Sequence, residues 1–118
     1  MNNRCHHWRM WNEPTDRELL RLPDLYATEN LPWDQKTIYE HFFLGGCDWY
    51  AAEYDKGDRL FFGYAILNSD YQNAEWGYFS FDELRAIKVR GLEVDRDLHW
   101  DEQPAGSIDD IVRGMRGR

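Results

Sequence analysis

The stretch GGCDWYAAEYDKGDRLFFGYAIL, residues 45–67, contains two runs of strand-forming residues joined by a short turn. The first run, DWYAAEYD at residues 48–55, is dense in aromatic residues, which is typical of a β-strand. Lys56-Gly57-Asp58 provides the turn. The second run, RLFFGYAIL at residues 59–67, is almost entirely apolar, and a strand of that kind is buried on both faces. The stretch therefore predicts an antiparallel hairpin whose second strand lies inside a sheet.

Similar strand patterns lie on both sides of this hairpin. KTIYEHFFL at residues 36–44 precedes it and AEWGYFSF at residues 74–81 follows it, and both are rich in β-branched and aromatic residues. The connections are short, so consecutive strands are expected to be neighbours. The sequence predicts a four-stranded antiparallel meander across residues 36–80. LEVDRDLHW, residues 92–100, is expected to add a fifth strand at an edge.

Signals for the start of a helix occur in three places, at Thr15 with Glu18, Ser80 with Glu83, and Ser107. The first helix is expected to end at Pro23 and the second at Gly91. The predicted fold class is α+β, with a four- to five-stranded antiparallel meander sheet flanked by short helices.

The chain is long enough for one domain with its own core. Residues 14–118 are interpreted as that domain, and residues 1–13, which have no clear period, as an N-terminal extension in which Met10 is a possible second start. No apolar run approaches the roughly 20 residues of a membrane helix, and the N-terminus has no signal-peptide pattern. Two cysteines do not form a disulfide framework. A cytoplasmic protein with reduced thiols and no membrane partner is expected.

Acidic residues are concentrated in the middle of the chain. The net charge is -8, and residues 22–84 contain three basic and twelve acidic residues, a net charge of -9. Such a field repels nucleic acid and favours a basic protein partner, although acid also simply keeps proteins soluble. The aromatic residues lack the basic groove that base stacking needs, so no direct contact with nucleic acid is expected.

An acidic binding face is predicted on the meander. In an unbroken strand Glu53 and Asp55 lie on the same face as Trp49, and Glu75 can join them from the fourth strand. The predicted face consists of Asp48, Glu53, Asp55, Asp58, Asp70 and Glu75. Replacing Glu53 and Asp55 together by lysine is therefore expected to abolish partner binding while the fold survives, because reversals of surface charge cost little stability.

Several phrases together resemble a bacterial family, the domain-of-unknown-function family twenty-nine-fifty-eight (DUF2958). They are LPDLYATEN, FFLGGCDWYAAEYD, LFFGYAILN, AEWGYFSFDEL and GLEVDRDLHW, and the resemblance covers about residues 19–112. It implies a small protein of bacterial plasmids, integrative elements or phages. It supplies no established catalytic residues.

Two possible centres depend on cysteine. Cys5, His6 and His7 offer soft metal ligands, which His41 or Cys47 could complete, but the spacing of a zinc site is missing. Cys47 with His41 or His99 could form a nucleophile and base. A reactive cysteine needs a nearby cation, however, and the neighbours here are Asp48 and aromatic residues. A mobile tail and a structural cysteine are the favoured interpretations.

A third possible centre is the acidic run near the end of the chain. Asp95, Asp97 and His99 share a face if this segment is a strand, and they could bind a divalent cation or act as general acid and base. A solvated edge strand, with Arg96 bridging neighbouring acids, is favoured instead. We expect no catalytic residue, no metal and no cofactor.

The sequence favours a non-enzymatic binding protein carried by a mobile element. Its acidic face would inhibit a host nucleic-acid-binding defence complex, in the manner of anti-CRISPR or anti-restriction proteins. One alternative is an accessory or regulatory module for plasmid maintenance or transfer. Another is a small hydrolase that uses Asp95, Asp97 and His99.

Overall fold

The computed structural model describes residues 12–116. In this range the strands are β1 (Thr37–Ile38), β2 (Glu40–Leu44), β3 (Cys47–Asp55), β4 (Leu60–Ile66), β5 (Glu75–Ser80), β6 (Lys88–Val89), β7 (Leu92–Glu93), β8 (Asp95–Arg96) and β9 (Gln103–Pro104). The helices are α1 (Asp16–Leu19), α2 (Phe81–Ala86) and α3 (Asp109–Met115), and short 3₁₀ turns lie at Trp33–Gln35, Tyr71–Asn73 and Ala105–Ser107.

The main sheet has five antiparallel strands in the order β5-β4-β3-β2-β8. Strands β2 to β5 follow one another as a meander, and β4 lies between β3 and β5. The predicted α+β fold and its inner strand at residues 59–67 are therefore confirmed. The predicted first strand of the meander, residues 36–44, is divided in two. Its first part, β1, pairs with β9 in a separate two-stranded sheet, and only β2 belongs to the main sheet.

The predicted fifth strand is shorter than expected and is divided in two. Only Asp95–Arg96 joins the main sheet, beside β2. Leu92–Glu93 pairs instead with Lys88–Val89 in a small hairpin, with Gly91 in its turn at a φ of +82°. The prediction that Gly91 ends the second helix was therefore wrong, because α2 already ends at Ala86.

Two of the three predicted helix starts are confirmed. The Thr15 hydroxyl accepts the N–H of Glu18, and the Glu18 carboxylate accepts the N–H of Thr15, so the capping box is complete. The Ser80 hydroxyl accepts the N–H of Glu83 at the start of α2. Ser107 does not cap α3, since its hydroxyl donates to Pro104 and Gln103 in the preceding turn.

Both faces of the sheet are covered. One apolar cluster joins α1 and α2 to the sheet and contains Leu19, Leu22, Phe42, Trp49, Ala51, Tyr54, Phe61, Phe79, Phe81, Leu84 and Val94. The other joins α3 and contains Ile38, Tyr50, Ala52, Tyr64, Ile66, Ala74, Ala105, Ile108 and Ile111. We call these sides the α1/α2 face and the α3 face.

A β-bulge in β3 changes which face the later residues occupy. Ala51 pairs with Gly63 while Glu53 pairs with Phe62, so Ala52 is the extra residue. An extra residue shifts the alternation of side chains by one position. Trp49 and Ala51 lie on the α1/α2 face, but Glu53 lies on the α3 face. The prediction that Glu53 shares a face with Trp49 was wrong for this reason.

The described part of the chain begins within the predicted N-terminal extension. Glu13 forms a two-pronged ion pair with Arg85, at 3.1 Å for both contacts, and the N–H of Asn12 donates to Asp95. These two residues are thus attached to the domain. Cys5, His6, His7 and Met10 lie outside the described residues. Within residues 12–116 no helix is long and apolar enough to cross a bilayer.

Candidate functional site

The six predicted acidic residues do not form one face. Asp48 and Asp55 lie at opposite ends of β3, seven residues apart, which corresponds to roughly 23 Å along a strand. Asp70 and Glu75 are exposed near the end that carries Asp48, and Asp58 is exposed at the other end. The acidic residues at the hairpin turn have local roles, since Asp55 accepts the N–H of Asp58 at 3.1 Å.

Glu53 is not a surface residue at all. It is only 3% exposed, and its carboxylate accepts the N–H groups of Tyr26 and Thr28 at 2.8 and 3.0 Å, together with the Thr28 hydroxyl. Because a buried carboxylate needs donors around it, this arrangement fixes the loop that contains Tyr26 and Thr28. The placement of Glu53 on an exposed acidic face was wrong.

A different group of acidic side chains surrounds His41 on β2. The His41 Nε2 atom lies 2.7 Å from Asp48 Oδ1, and Nδ1 lies 3.5 Å from Asp97 Oδ2. Asp48 reaches the ring from β3, where it lies two residues before Tyr50, the cross-strand partner of His41. Asp97 follows β8, and its N–H donates to the carbonyl of His41. One imidazole therefore lies between carboxylates from two different neighbours.

These side chains line an open cleft of about 500 Å³. Asp95 and His99 line it as well, so the structure brings all three residues of the predicted Asp95, Asp97 and His99 group to one place. Asp97 also accepts the N–H of His99 at 3.0 Å, which holds this segment in its turn. We name this site the histidine cleft and define it by His41, Asp48, Asp95, Asp97 and His99.

Aromatic packing holds the His41 ring in place. It stacks on Tyr50 with a centroid distance of 4.5 Å and an interplanar angle of 6°. The Trp100 ring centroid lies 5.3 Å from that of His41. The Tyr50 hydroxyl donates to Asp110 of α3 at 2.8 Å. Burial, followed by this hydrogen bond, raises the pKa of Tyr50 well above its usual value, so the hydroxyl keeps its proton. The cleft thus has a rigid wall.

Arg96, the one arginine in the described lining of the cleft, forms ion pairs with other acids. The Arg96 Nη1 atom lies 3.1 Å from Glu18 and 3.7 Å from Glu40, which are carboxylates on the α1/α2 side. Arg21 also pairs with Glu40, at 2.5 Å. The ion pairs of the Arg96 guanidinium are thus with carboxylates outside the histidine cleft.

Buried Glu40 should make stability depend on pH. Burial raises its pKa above the ordinary value of 4.5, although the attraction of Arg96 and Arg21 opposes that rise. The folded protein therefore holds this proton at a higher pH than the unfolded chain does, and its contribution to stability falls as pH rises above 4.5. Glu40→Gln cannot ionise, so we expect this part of the pH dependence to disappear in urea unfolding between acidic and neutral pH. A wild-type advantage that grows with pH would contradict the prediction.

Cys47 is not part of the cleft. It lies at the start of β3 and packs with the α1/α2 cluster, on the face opposite His41, and its sulfur accepts the N–H of Asn68 at 3.4 Å. The described lining of the cleft includes no hydroxyl or thiol side chain. Among residues 12–116, no three His, Cys, Asp or Glu side chains are grouped so that they could hold a metal ion.

The central residue of this site was not recognised as such from the sequence. The sequence suggests His41 only as a completing metal ligand or as a base for Cys47, and Asp48 only as an acid of the binding face and a neighbour of Cys47. The signal that could have joined them is the Gly45-Gly46 turn, which brings residues 41 and 48 to the same face of adjacent strands. No comparable local signal connects His41 to Asp97.

Comparison with known proteins adds a family but no activity. No curated protein and no solved structure matches the chain. The family model described as Protein of unknown function (DUF2958) matches residues 24–108, which include β1 to β9 and both His41 and Asp97. The match covers well over half of the chain, and the chain therefore belongs to the DUF2958 family.

Proposed function

We propose that this protein is a non-enzymatic binding protein whose histidine cleft receives basic side chains of a protein partner. The observation that carries the proposal is the convergence of Asp48, Asp95 and Asp97 on one open cleft. Local charge matters here more than net charge, because carboxylates that converge in a concave site focus their field.

The geometry of the cleft suits a guanidinium or ammonium group. The side chains of Asp48 and Asp97 are 21% and 32% exposed, so they are held by His41 and still reachable from solvent. Carboxylates bind arginine through paired, charge-assisted hydrogen bonds. Phe43 also lines the cleft and offers an apolar surface for the stem of a long basic side chain.

The resemblance to proteins of mobile elements suggests what the partner is. We propose a host defence complex that binds nucleic acid, so that the carboxylates of this protein take the place of phosphates, in the manner of anti-CRISPR or anti-restriction proteins. A basic protein of plasmid maintenance or transfer would be recognised by the same chemistry. This alternative differs only in the partner.

A small hydrolase is the second candidate, and one observation favours it. Asp97, His99 and His41 line the same cleft, where a histidine and a carboxylate could exchange a proton with a bound molecule. The binding proposal is preferred because both nitrogens of His41 already face carboxylates and no hydroxyl or thiol in the described lining could act as nucleophile.

Neutralising the cleft should weaken partner binding strongly. The triple variant Asp48→Asn, Asp95→Asn, Asp97→Asn keeps the shape of the cleft and removes three negative charges. Partners are captured from host lysate with the wild type, identified by mass spectrometry and purified for titration. We expect a basic, nucleic-acid-binding protein whose affinity falls steeply with salt and at least about tenfold in the triple variant, since a charged hydrogen bond contributes about 1.5–3 kcal/mol.

The matched control is Asp55→Asn, Asp58→Asn, Glu75→Gln, which changes the net charge by the same amount at positions away from the cleft. It should bind as the wild type does. Equal losses in both variants would mean that only net charge matters. Turnover of a small molecule by the wild type that is lost in His99→Ala would favour the hydrolase.

A further inference from the structure

A second pocket lies at the other end of the α3 face, beyond the bulge in β3. It has a volume of about 320 Å³ and is lined by Tyr26, Glu29, Lys36, Glu53, Phe62 and Tyr78. Three of these six residues are aromatic. We name it the tyrosine pocket, and it shares no residue with the histidine cleft.

The backbone of Tyr26 is held in an unfavourable conformation beside this pocket. Its φ is +71°, in the left-handed region that a bulky residue rarely adopts. The buried Glu53 carboxylate accepts the Tyr26 N–H at 2.8 Å and so holds the loop in place. Strained residues that are held by buried polar groups are concentrated at functional sites. This backbone conformation places the Tyr26 side chain at the pocket.

The tyrosine rings at this pocket are unusually open to solvent. Tyr26 is 61% exposed and Tyr78 is 51% exposed. Phe62 of β4 is the cross-strand partner of Tyr78 on β5, and the two ring centroids lie 5.3 Å apart in an edge-on arrangement. Exposed, preorganised tyrosines are typical anchors in protein recognition.

The charges around the pocket favour a cationic ligand. Lys36 is 7% exposed, and its ammonium group donates to the carbonyl and the hydroxyl of Thr28, so it is engaged within the protein. Glu53 balances its charge, and the exposed Glu29 leaves the lining with one net negative charge. Aromatic faces attract ammonium and guanidinium groups.

We propose that the tyrosine pocket binds a lysine or arginine side chain of a protein partner between Tyr26 and Tyr78, with Glu29 at its rim. This inference rests on the proposed function in that the partner is basic, but it concerns a different pocket. Both pockets lie on the α3 face, so one basic partner can engage both. Each contact would strengthen the other by raising its effective concentration.

The test uses the isotope-labelled full chain and amide chemical shifts in NMR spectra. The probes are Nα-acetyl-arginine amide and Nα-acetyl-lysine amide, and the neutral comparison is Nα-acetyl-norleucine amide, which has a similar stem without charge. We expect saturable shifts at Tyr26, Thr28 and Tyr78 with the two cationic probes and none with norleucine. Equal shifts with norleucine would overturn the proposal, because the pocket would then be merely apolar.

Two variants remove the rings without disturbing the loop. Asparagine tolerates a positive φ, so Tyr26→Asn keeps the backbone conformation, and Tyr78→Phe keeps the second ring as a control for Tyr78→Ala. We expect Tyr26→Asn and Tyr78→Ala to weaken probe binding about tenfold at an unchanged thermal midpoint, while Tyr78→Phe binds normally. Unchanged affinity in both ring-removal variants would overturn the proposal.

The outcomes separate the two sites. Shifts confined to His41 and Asp97 would overturn the tyrosine pocket and leave the proposed function standing. Shifts confined to the tyrosine pocket would support this inference and count against the histidine cleft. The absence of any saturable shift would overturn the assignment of a cationic ligand to this pocket, and a purified partner that still binds Tyr26→Asn normally would do the same.

Discussion

Replacing Glu53 by lysine is expected to unfold the protein. Its carboxylate accepts three hydrogen bonds from Tyr26 and Thr28 while being only 3% exposed. The variant would lose three bonds to a charged acceptor, each contributing about 1.5–3 kcal/mol, and would leave the N–H groups of Tyr26 and Thr28 without their acceptor. That loss is comparable with the whole stability of a domain of this size, about 5–15 kcal/mol. Far-ultraviolet circular dichroism and urea unfolding would measure it.

The control for this prediction is Glu75→Lys, the same change of charge on an exposed residue of β5 in the same sheet. It should alter the stability by no more than about 0.5 kcal/mol. A stably folded Glu53→Lys protein would show that the loop around Tyr26 does not depend on this carboxylate. The result also bears on the expectation that Glu53 and Asp55 can both be reversed without loss of the fold, which the burial of Glu53 contradicts.

The meander was predictable because every part of it is local. Each strand from β2 to β5 pairs with the next one along the chain, and glycines or polar residues occupy the turns between them. The apolar run from Leu60 to Ile66 has neighbours on both sides, as its composition indicates. In such an arrangement, the strand pattern of the sequence and the short connections between strands both predict the same sheet.

The position of Glu53 was not predictable from the same pattern. The alternation of Trp49, Ala51 and Glu53 in the sequence reads as one continuous face. The extra residue, Ala52, is small and apolar and carries no signal that distinguishes a bulge from regular strand. One residue of slip moves every later side chain to the opposite face. It therefore moves Glu53 from the α1/α2 face, which Trp49 and Ala51 occupy, to the α3 face and directs it towards Tyr26.

The histidine cleft was predictable only in part. Asp48 comes to His41 through the tight turn between β2 and β3, which the sequence indicates. Asp97 comes to it because two residues, Asp95 and Arg96, add to the free edge of β2 from about fifty residues away. Edge pairing as short as this depends on tertiary packing, including Val94 in the α1/α2 cluster, and leaves no local pattern.

Gly63→Ala is expected to be the most damaging single methyl addition to the sheet. A Cβ at this position would lie 1.9 Å from the carbonyl oxygen of Tyr50 and 3.0 Å from the Cα of Ala51. Both obstacles are backbone atoms of the neighbouring strand beside the bulge, so they cannot move without separating β3 from β4. We expect a loss of about 3 kcal/mol or more, at the upper end of what overpacking costs. Thermal and urea unfolding would measure the loss.

Gly77→Ala is the matched control, because Gly77 is the cross-strand partner of Gly63 on β5. A Cβ there meets nothing within 4 Å, so alanine should be tolerated and should stabilise the strand by about 0.5–1 kcal/mol through the lower entropy of the unfolded chain. The two substitutions differ only in which strand receives the methyl group. Equal effects would mean that Gly63 is not pressed against the bulge, and the register of β3 with β4, on which the inward direction of Glu53 depends, would have to be different.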